Sequence, residues 1–303
     1  MFDNLVSRFK SSSIVGKYIY VNVALFVFVV LIAVFSLLLN SPGASDSLVR
    51  CLELPASPGQ LIRQPWSLFT YMFLHADFWH ILWNMIALNI FGKVSLNLFS
   101  VRHFVGFYIL GGLFGGLFYV LALNLFPYFA PLAPHSYLLG ASASVLSVAV
   151  ASAVRAPGYR LNLLFFGSVK LSTIAVVTVL VSFLMITGEN PGGNFAHLGG
   201  AFAGWLVSTL LAKGIDLTSV VNKPIDLLST IFKKRPPRAK KKGKFKFTAS
   251  SGSAKHASDY SYNAGKKADE AEIDRILEKI KKGGYASLSD QEKKRLFDAS
   301  NRH

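Results

Sequence analysis

Residues 194–204 read NFAHLGGAFAG and open an apolar segment that continues to residue 213. One histidine, His197, interrupts this segment, and glycines follow it three and seven positions later. Residues at these spacings share one face of an α-helix, so His197, Gly200 and Gly204 are predicted to lie on the same face. Glycines on such a face let a second helix approach closely inside a membrane. The stretch therefore predicts a membrane-spanning helix at the crowded centre of a helical bundle.

Five further apolar segments precede this one. A helix needs about 20 residues to cross a hydrocarbon layer roughly 30 Å thick. The chain of 303 residues is 52% apolar and 16% charged, whereas a typical soluble chain carries about 25% charged residues. The fold class is therefore predicted to be an all-α membrane protein, a bundle of six transmembrane helices. The predicted spans are residues 19–39, 79–99, 104–126, 138–154, 170–188 and 195–213.

The distribution of basic residues predicts the orientation of these spans. Basic residues in short flanks are retained on the cytoplasmic side. Residues 1–18 contain three of them, and the turns after the second and fourth spans contain more, whereas residues 124–138 and 188–194 contain none. Both termini are therefore predicted to be cytoplasmic. We expect a multi-pass protein of a bacterial inner (cell) membrane, with an organelle membrane as the alternative.

The C-terminal region differs from the apolar spans. Residues 214–303 contain 21 of the 32 Lys and Arg residues. Residues 214–267 are predicted to be a basic disordered linker, which includes the run KKRPPRAKKKGKFK at 233–246, and residues 268–303 a small helical hairpin. In the hairpin, Ser289 and Glu292 have the spacing of a capping box. The basic linker could associate with anionic lipid or serve only as positive-inside anchoring. Nucleic-acid binding is not expected, because the linker lacks a folded recognition motif.

Polar residues inside the apolar spans are costly, and they are therefore candidates for function. They occur in LHADFWHILWN at 74–84, in LLGASAS at 138–144 and in the segment around His197, all at the outer side in the predicted orientation. A serine and a histidine from different helices can form a nucleophile and its general base. Ser142 and His197 are the candidates for this pair. Donors from the same region could stabilise an oxyanion; they are His80, Asn84 and the backbone N–H of Ser142, with His75 nearby.

Other interpretations of these residues stay open at this point. Ser142 could be a small packing residue, and His80 and Asn84 could form a hydrogen bond between helices. Three imidazoles could hold zinc, but no H-E-x-x-H motif accompanies them, so no metal or cofactor is expected. A proton-conducting transporter would also use intramembrane histidines. With no acidic partner, His197 must be oriented by packing; an aromatic neighbour could do this, and the sequence does not choose among Trp83, Tyr119 and Phe195.

Together the three motifs resemble the rhomboid intramembrane serine proteases over roughly residues 60–213. They are H-x-x-x-x-H-x-x-x-N in the second span, G-x-S-x in the fourth and A-H-x-x-G-x-x-x-G in the sixth. The resemblance implies a catalytic domain at 19–213 with a water-accessible cavity. It also implies a serine–histidine dyad and cleavage of transmembrane substrates near their outer membrane boundary. The fifth span and the loop at 188–194 would control substrate access.

The resemblance also implies a role for each candidate residue. Ser142 would be the nucleophile and His197 the general base. His80, Asn84 and the Ser142 amide would form the oxyanion hole. The supporting residues would be His75 in the loop at 41–78, and Gly140, Gly200 and Gly204.

Two positions depart from the family pattern. Ala143 stands where the motif around the serine usually has a second glycine, which predicts a tighter oxyanion pocket. Trp66 is followed by Ser67, where the family often has arginine, which removes a charged anchor from the first loop. Neither change deletes a catalytic atom. The alternative function is a proteolytically inactive rhomboid-like protein that binds transmembrane helices.

Overall fold

The structure is a computed structural model that describes residues 2–41, 43–163 and 167–232, together with 275, 276, 278–280 and 288–293. The chain divides into two compact units, residues 1–234 and 235–303. The described part of the first unit consists mainly of helices. They are α1 (Phe2–Ser11), α2 (Ile14–Leu38), α3 (Gly43–Leu52), α4 (Pro58–Arg63), α5 (Ser67–Thr70), α6 (Phe78–Leu98), α7 (Val101–Leu125), α8 (Ser142–Arg155), α9 (Leu171–Leu184), α10 (Pro191–Ala212) and α11 (Ser219–Phe232).

Short strands and 3-10 turns connect these helices. The strand β1 (Leu54–Pro55) pairs antiparallel with β2 (Tyr137–Leu138), and β3 (Arg160–Leu163) pairs antiparallel with β4 (Gly167–Lys170). The 3-10 turns are Tyr71–Phe73 and Ala130–His135. The strands are therefore minor features of a helical fold.

Four described helices, α2, α6, α7 and α10, are long and apolar enough to cross a membrane. Two more apolar helices, α8 and α9, have 14 residues each and are shorter than that. The predicted start of the fourth span at residue 138 is wrong, since α8 begins only at Ser142. Leu138 pairs with Leu54 in the small sheet, and Gly140 has a φ of +128°, which no helix continues.

Helices α7, α8 and α10 form the centre of the bundle. Small residues make this possible, because a Cβ added at Gly200 would overlap the carbonyl oxygen of Ala143 on α8. One added at Gly204 would overlap that of Ser147, and one at Gly111 of α7 would overlap the Ser147 side chain. The three helix backbones therefore lie as close as glycine permits, as the glycine-rich sequences predict.

The outer layer of the bundle is more exposed. Most apolar side chains of α2 are exposed, with Leu38 at 73%, as expected of a helix that faces lipid. Near its start α2 contacts the bundle, because Val15 packs against Gly92 of α6 and the Tyr18 ring lies 4.7 Å from that of Tyr108. The N-terminal half of α2, up to Phe26, therefore packs against the core.

The segment between α2 and α6 is held against the bundle by hydrogen bonds to backbone carbonyls. The Trp66 indole donates to the carbonyl of Cys51 at 2.8 Å, and the Tyr71 hydroxyl donates to that of Gly112 on α7 at 2.5 Å. Ser67, which replaces the arginine of the family pattern, is fully buried. Neutral contacts therefore anchor this loop where the sequence lacks the charged anchor.

Helix α11 corrects the sequence-based expectation for residues 214–267. The prediction of a disordered linker is wrong for residues 219–232, which form α11. Arg102 on α7 holds this helix: its carbonyl accepts a hydrogen bond from Asn222, and its guanidinium pairs with Asp226 at 3.0 Å. These contacts reach back more than 110 residues, so the local charge pattern could not reveal them. Residues 233–267 lie outside the described residues.

In the second unit only short pieces are described. The predicted capping box is confirmed, because the Ser289 N–H donates to the Glu292 carboxylate at 2.7 Å and the Glu292 N–H donates to the Ser289 hydroxyl. The Lys279 ammonium pairs with the same carboxylate at 3.0 Å. Those contacts lower the pKa of Glu292 to about 2, chiefly through the Ser289 N–H. The rest of the predicted hairpin lies outside the described residues.

Candidate active site

The candidate residues from three helices meet at one end of the bundle. Ser142 is the first residue of α8, His80 lies in the first turn of α6, and His197 lies in the second turn of α10. Together they line a cavity of about 220 Å³. Each sits near a helix N-terminus, where backbone N–H groups have no partner within the helix. This end of the bundle therefore brings three helix N-termini close to a serine and a histidine.

Ser142 and His197 form a direct hydrogen bond. The distance from Ser142 Oγ to His197 Nε2 is 2.8 Å. The close contact of α8 with α10 sets this distance, because Gly200 lies one turn after the histidine and touches the residue after the serine. A histidine at this distance can take the hydroxyl proton as the oxygen attacks a carbonyl. The distance is therefore compatible with proton transfer between the two side chains.

The second nitrogen of His197 contacts a residue that the sequence analysis did not select. His197 Nδ1 lies 3.2 Å from the hydroxyl oxygen of Ser182 on α9, which is 3% exposed. If Nδ1 carries the proton and donates it to Ser182, then Nε2 presents its lone pair to Ser142. Ser182 can thus hold the histidine in the tautomer that a general base needs. The sequence feature that could have pointed to Ser182 is its position as a lone serine in an otherwise apolar stretch of the predicted fifth span.

The aromatic residues considered for orienting His197 have other surroundings. Phe195 stacks on Phe126 with a centroid distance of 6.0 Å, and Trp83 is 63% exposed. Tyr119 is buried against Gly192 at the start of α10. A hydroxyl group therefore occupies the position for which the sequence suggested an aromatic ring.

His80 is fixed by residues just before and within its own helix. Asp77 caps α6 by accepting a hydrogen bond from the His80 N–H at 2.9 Å. The Ala76 N–H points at His80 Nδ1 at 3.4 Å, and a backbone N–H can only donate. Nδ1 is therefore the acceptor, which leaves the proton on Nε2 of the neutral ring. That nitrogen faces Gly140, where an added Cβ would lie 2.9 Å away.

Asn84 lies one turn further along α6. Its amide donates one hydrogen bond to the His80 carbonyl at 2.9 Å, and the amide nitrogen has a second hydrogen to offer. It is 8% exposed and lines the cavity together with His80 and Ser142. His80, Asn84 and Ser142 therefore offer hydrogen-bond donors to the same cavity.

Gly140 and His75 shape this region without lying at its centre. Gly140 adopts a φ of +128°, which side-chain-bearing residues rarely adopt, and its N–H donates to the Tyr71 carbonyl at 2.9 Å. His75 packs edge-on against the ring of His80 at 5.1 Å and is buried. Burial, with a smaller contribution from the His80 imidazole, lowers the pKa of His75 to about 4. The neutral His75 ring therefore supports the His80 ring by packing against it.

Ala143 is the residue that departs from the family pattern. Its side chain points toward α7 and not toward α9, the helix that carries Ser182. Its side chain is buried against Gly115 of α7, where an added Cβ would lie 2.6 Å from the Ala143 methyl group. Gly115 thus leaves the space that this methyl group fills. The extra carbon is accommodated between α7 and α8.

A second cavity of about 300 Å³ opens beside the first one. Its walls come from α6, α8 and α9 and are mostly apolar. Ser142, Asn84 and His197 line both cavities. The serine therefore stands where the first cavity, which contains several polar side chains and is called the polar cavity below, meets an apolar cleft. The remaining lining residues of the cleft are Trp83, Ala87, Phe91, Val145, Leu146, Ala149, Ile174, Ala175 and Thr178.

One further residue at the polar cavity was not anticipated from the sequence. Asn190 lines it and caps α10, accepting a hydrogen bond from the Gly193 N–H at 2.9 Å. In the described part of the chain, no group of three or more His, Cys, Asp or Glu side chains is arranged to hold a metal ion. The imidazoles at this site instead form contacts with serine, with a backbone amide and with each other.

Comparison with known proteins identifies two regions of the chain. Residues 62–214 match the Rhomboid domain, and residues 258–302 match a family of unknown function, DUF6576. A similar relative is the RHOMBOID-like protein 12, mitochondrial, of Arabidopsis thaliana, with 28% identity over 157 residues. The matched region is 49% of this chain and 47% of the relative, so the chain spans about half of that protein's length.

Proposed function

This chain belongs to the rhomboid family, and on that premise we propose that it is an intramembrane serine endopeptidase that uses Ser142 and His197 as a catalytic dyad. The family includes serine proteases that act within the bilayer, and the chain is an integral membrane protein with apolar helices of the required length. The observation that carries the proposal is the 2.8 Å hydrogen bond between Ser142 Oγ and His197 Nε2.

In the proposed reaction, the dyad transfers one proton while the acyl ester forms and one proton while water hydrolyses it. Ser142 Oγ attacks the carbonyl carbon of the scissile peptide bond while His197 Nε2 takes the hydroxyl proton. The tetrahedral intermediate then breaks its C–N bond, and His197 returns the proton to the leaving amine. This leaves an acyl ester on Ser142. Water attacks the ester with His197 again as the base, which frees the new carboxyl group and restores the serine.

We assign the oxyanion hole to His80, Asn84 and the backbone N–H of Ser142. The support is their position around one cavity and the proton that the Ala76 contact leaves on His80 Nε2. Fixed donors of this kind stabilise charge that develops in the transition state, and removing one costs about 10²–10³ in turnover. Gly140, Gly200, Gly204 and His75 would act by shaping this site.

The two adjoining cavities suggest how the substrate and water arrive. The apolar cleft between α6 and α9 would admit a transmembrane helix, and the polar cavity would supply water. A helix must unwind locally to present its backbone at Ser142. We therefore propose that substrates carry small or helix-breaking residues near their outer membrane boundary.

The proposal keeps six spans, with α8 and α9 as the two short ones. A helix of 14 residues covers about 21 Å, less than the roughly 30 Å of hydrocarbon. The non-helical stretch before α8 is buried, with Ala141 fully enclosed, and irregular backbone at membrane depth is tolerated where protein covers it. Both termini would then lie on the same, positively charged side.

The membrane that holds the protein is a separate question from its orientation. The relative from Arabidopsis thaliana carries a mitochondrial name, so it does not support the expectation of a bacterial inner membrane. The proposal therefore covers both a bacterial and a mitochondrial inner membrane, in each case with the basic side facing the compartment that contains the termini.

We also propose the following domain boundaries. They are a rhomboid domain at 19–213, a basic segment that continues past α11, and a small helical domain at 268–303. The run at 233–246 is proposed to contact anionic lipid, since it combines nine Lys and Arg residues with no acidic one.

The proposal is tested by cleavage in proteoliposomes with a single-span substrate that has small residues at its outer boundary. We expect the wild type to cut, Ser142→Ala and His197→Ala to be inactive, and Asn84→Ala to retain a small residual rate. A serine-directed fluorophosphonate should label the wild type and not Ser142→Ala. If Ser142 is neither labelled nor required, the chain is an inactive, helix-binding rhomboid-like protein.

A further inference from the structure

Helix α11 is amphipathic in an unusual sense, because its polar side faces the protein. Asn222 donates to the Arg102 carbonyl at 3.1 Å, and Asp226 pairs with the Arg102 guanidinium. The opposite side of the helix exposes apolar side chains, among them Val220 at 65% and Leu228 at 55%. A helix that uses its polar residues for docking leaves an apolar face that water does not favour.

Helix α1 has the same character at the other end of the chain. Its described apolar residues Val6 and Phe9 are three positions apart, a spacing that places them on one helical face. Val6 and Phe9 are exposed, while Arg8 and Lys10 lie in the last turn. With 10 residues, α1 is too short to cross the bilayer.

Both helices lie at the same end of the bundle. α1 leads into the start of α2, where the Tyr18 ring lies 5.6 Å from that of Phe104 on α7. α11 is fixed to the neighbouring residue Arg102, and Thr218 just before it packs against Gly106. Ser142 lies at the opposite end, because Arg155, at the other end of α8, lines a cavity together with Ser100 and His103 at the start of α7.

The charges around the two helices indicate what covers their apolar faces. Residues 233–246, which directly follow α11, contain nine cationic residues, and α1 adds Arg8 and Lys10. An apolar helical face with flanking Lys and Arg is the pattern of a helix that lies in the interface of an anionic bilayer. Each basic residue near such a surface contributes about 1 kcal/mol of attraction.

We propose that α1 and α11 form one lipid-binding surface on the side of the membrane opposite the serine, with their apolar faces at the boundary between headgroups and acyl chains of an anionic leaflet. This surface does not depend on proteolysis, so it stands or falls separately from the proposed function.

The test uses single cysteines that carry a bimane fluorophore in full-length protein with Cys51→Ser. Leu228→Cys and Phe9→Cys report the apolar faces. Ser229→Cys and Ser7→Cys are the matched controls on adjacent, polar parts of the same helices, and both serines are exposed. The protein is reconstituted into vesicles of phosphatidylcholine, with or without phosphatidylglycerol, and quenched with lipid-attached nitroxide or aqueous iodide.

We expect nitroxide to quench the labels at positions 228 and 9 at least about threefold more than their controls, with the difference larger in the anionic vesicles. Iodide should show the reverse order. Equal iodide quenching at positions 228 and 229 would overturn the proposal, because the face would then be in water. Protection of position 228 from both quenchers would also overturn it, since a protein partner would then cover the face.

Discussion

Replacing Ser182 by alanine should slow peptide cleavage without preventing it. The substitution removes the hydroxyl group that lies 3.2 Å from His197 Nδ1 and leaves a side chain of nearly the same volume. Ser182 is buried on α9, so water cannot readily take the place of the lost oxygen. His197 should then spend part of its time in the tautomer or ring orientation that does not face Ser142 with a lone pair.

The size of the effect follows from the kind of hydrogen bond. A neutral intramolecular hydrogen bond contributes about 0.5–1.5 kcal/mol, and each 1.36 kcal/mol is a factor of ten in rate, so kcat should fall about 2- to 13-fold. KM should stay the same, because Ser182 touches the base and not the cleft surface. The residue is absent from the lining of both cavities.

Two measurements separate this role from an effect on substrate access. Cleavage in proteoliposomes gives kcat and KM, and the rate of labelling by a small fluorophosphonate reports the reactivity of Ser142 without a transmembrane substrate. Both rates should fall by the same factor. Ser172→Ala is the matched control, because Ser172 lies on the same helix but donates to the Pro157 carbonyl, away from the site.

The reasoning would be refuted if Ser182→Ala labelled and cleaved at the wild-type rate, since the hydrogen bond would then carry no free energy in the reaction. It would equally be refuted by a decrease in cleavage with normal labelling. That result would place the role of Ser182 in the movement of α9 and not in the orientation of His197.

Two further predictions concern stability. Gly200→Ala should lower the melting temperature in detergent, because its Cβ would overlap a carbonyl of α8 and overpacking costs typically 1–3 kcal/mol; Gly158→Ala, with open space around it, should not. The low pKa of His75, about 4, means that the folded state keeps this ring neutral while the unfolded chain protonates it near 6.5. Stability should therefore fall as the pH drops from about 6.5 to about 4, and His75→Asn should show a smaller fall over that window in thermal unfolding curves.

The sequence was sufficient to predict the family and the membrane class. Apolar segments of the right length identify the spanning helices, and the spacing of His197, Gly200 and Gly204 identifies a packing face before any coordinates are known. These features depend only on residues close together in the sequence. Helix periodicity is therefore enough to predict which residues share a helix face. The match of residues 62–214 to the Rhomboid domain confirms the family.

Features that depend on distant contacts could not be predicted. α11 is held in place by Arg102 on α7. The Arg102 carbonyl accepts a hydrogen bond from Asn222, and the Arg102 guanidinium pairs with Asp226. Ser182 became a candidate only when α9 was seen beside α10, since serine in an apolar helix commonly bonds its own backbone. The start of α8 depends on the pairing of Leu54 with Leu138 in the small sheet. Neither segment alone has a sequence pattern that predicts this pairing.

The packing of α8 against α10 links stability to chemistry at one position. A side chain at Gly200 would push on the carbonyl of Ala143, the residue after the nucleophile, while Gly200 itself lies one turn after His197. A movement of α8 away from α10 that relieves the overlap would therefore also separate Ser142 from His197, the proposed dyad. Their contact of 2.8 Å leaves only about 0.4 Å before it passes the usual limit of a hydrogen bond. Gly200→Ala should for that reason lose more activity than its loss of stability accounts for, measured at a temperature where the variant is still fully folded. Loss of activity only in proportion to the unfolded fraction would mean that the helices absorb the new methyl group without moving Ser142.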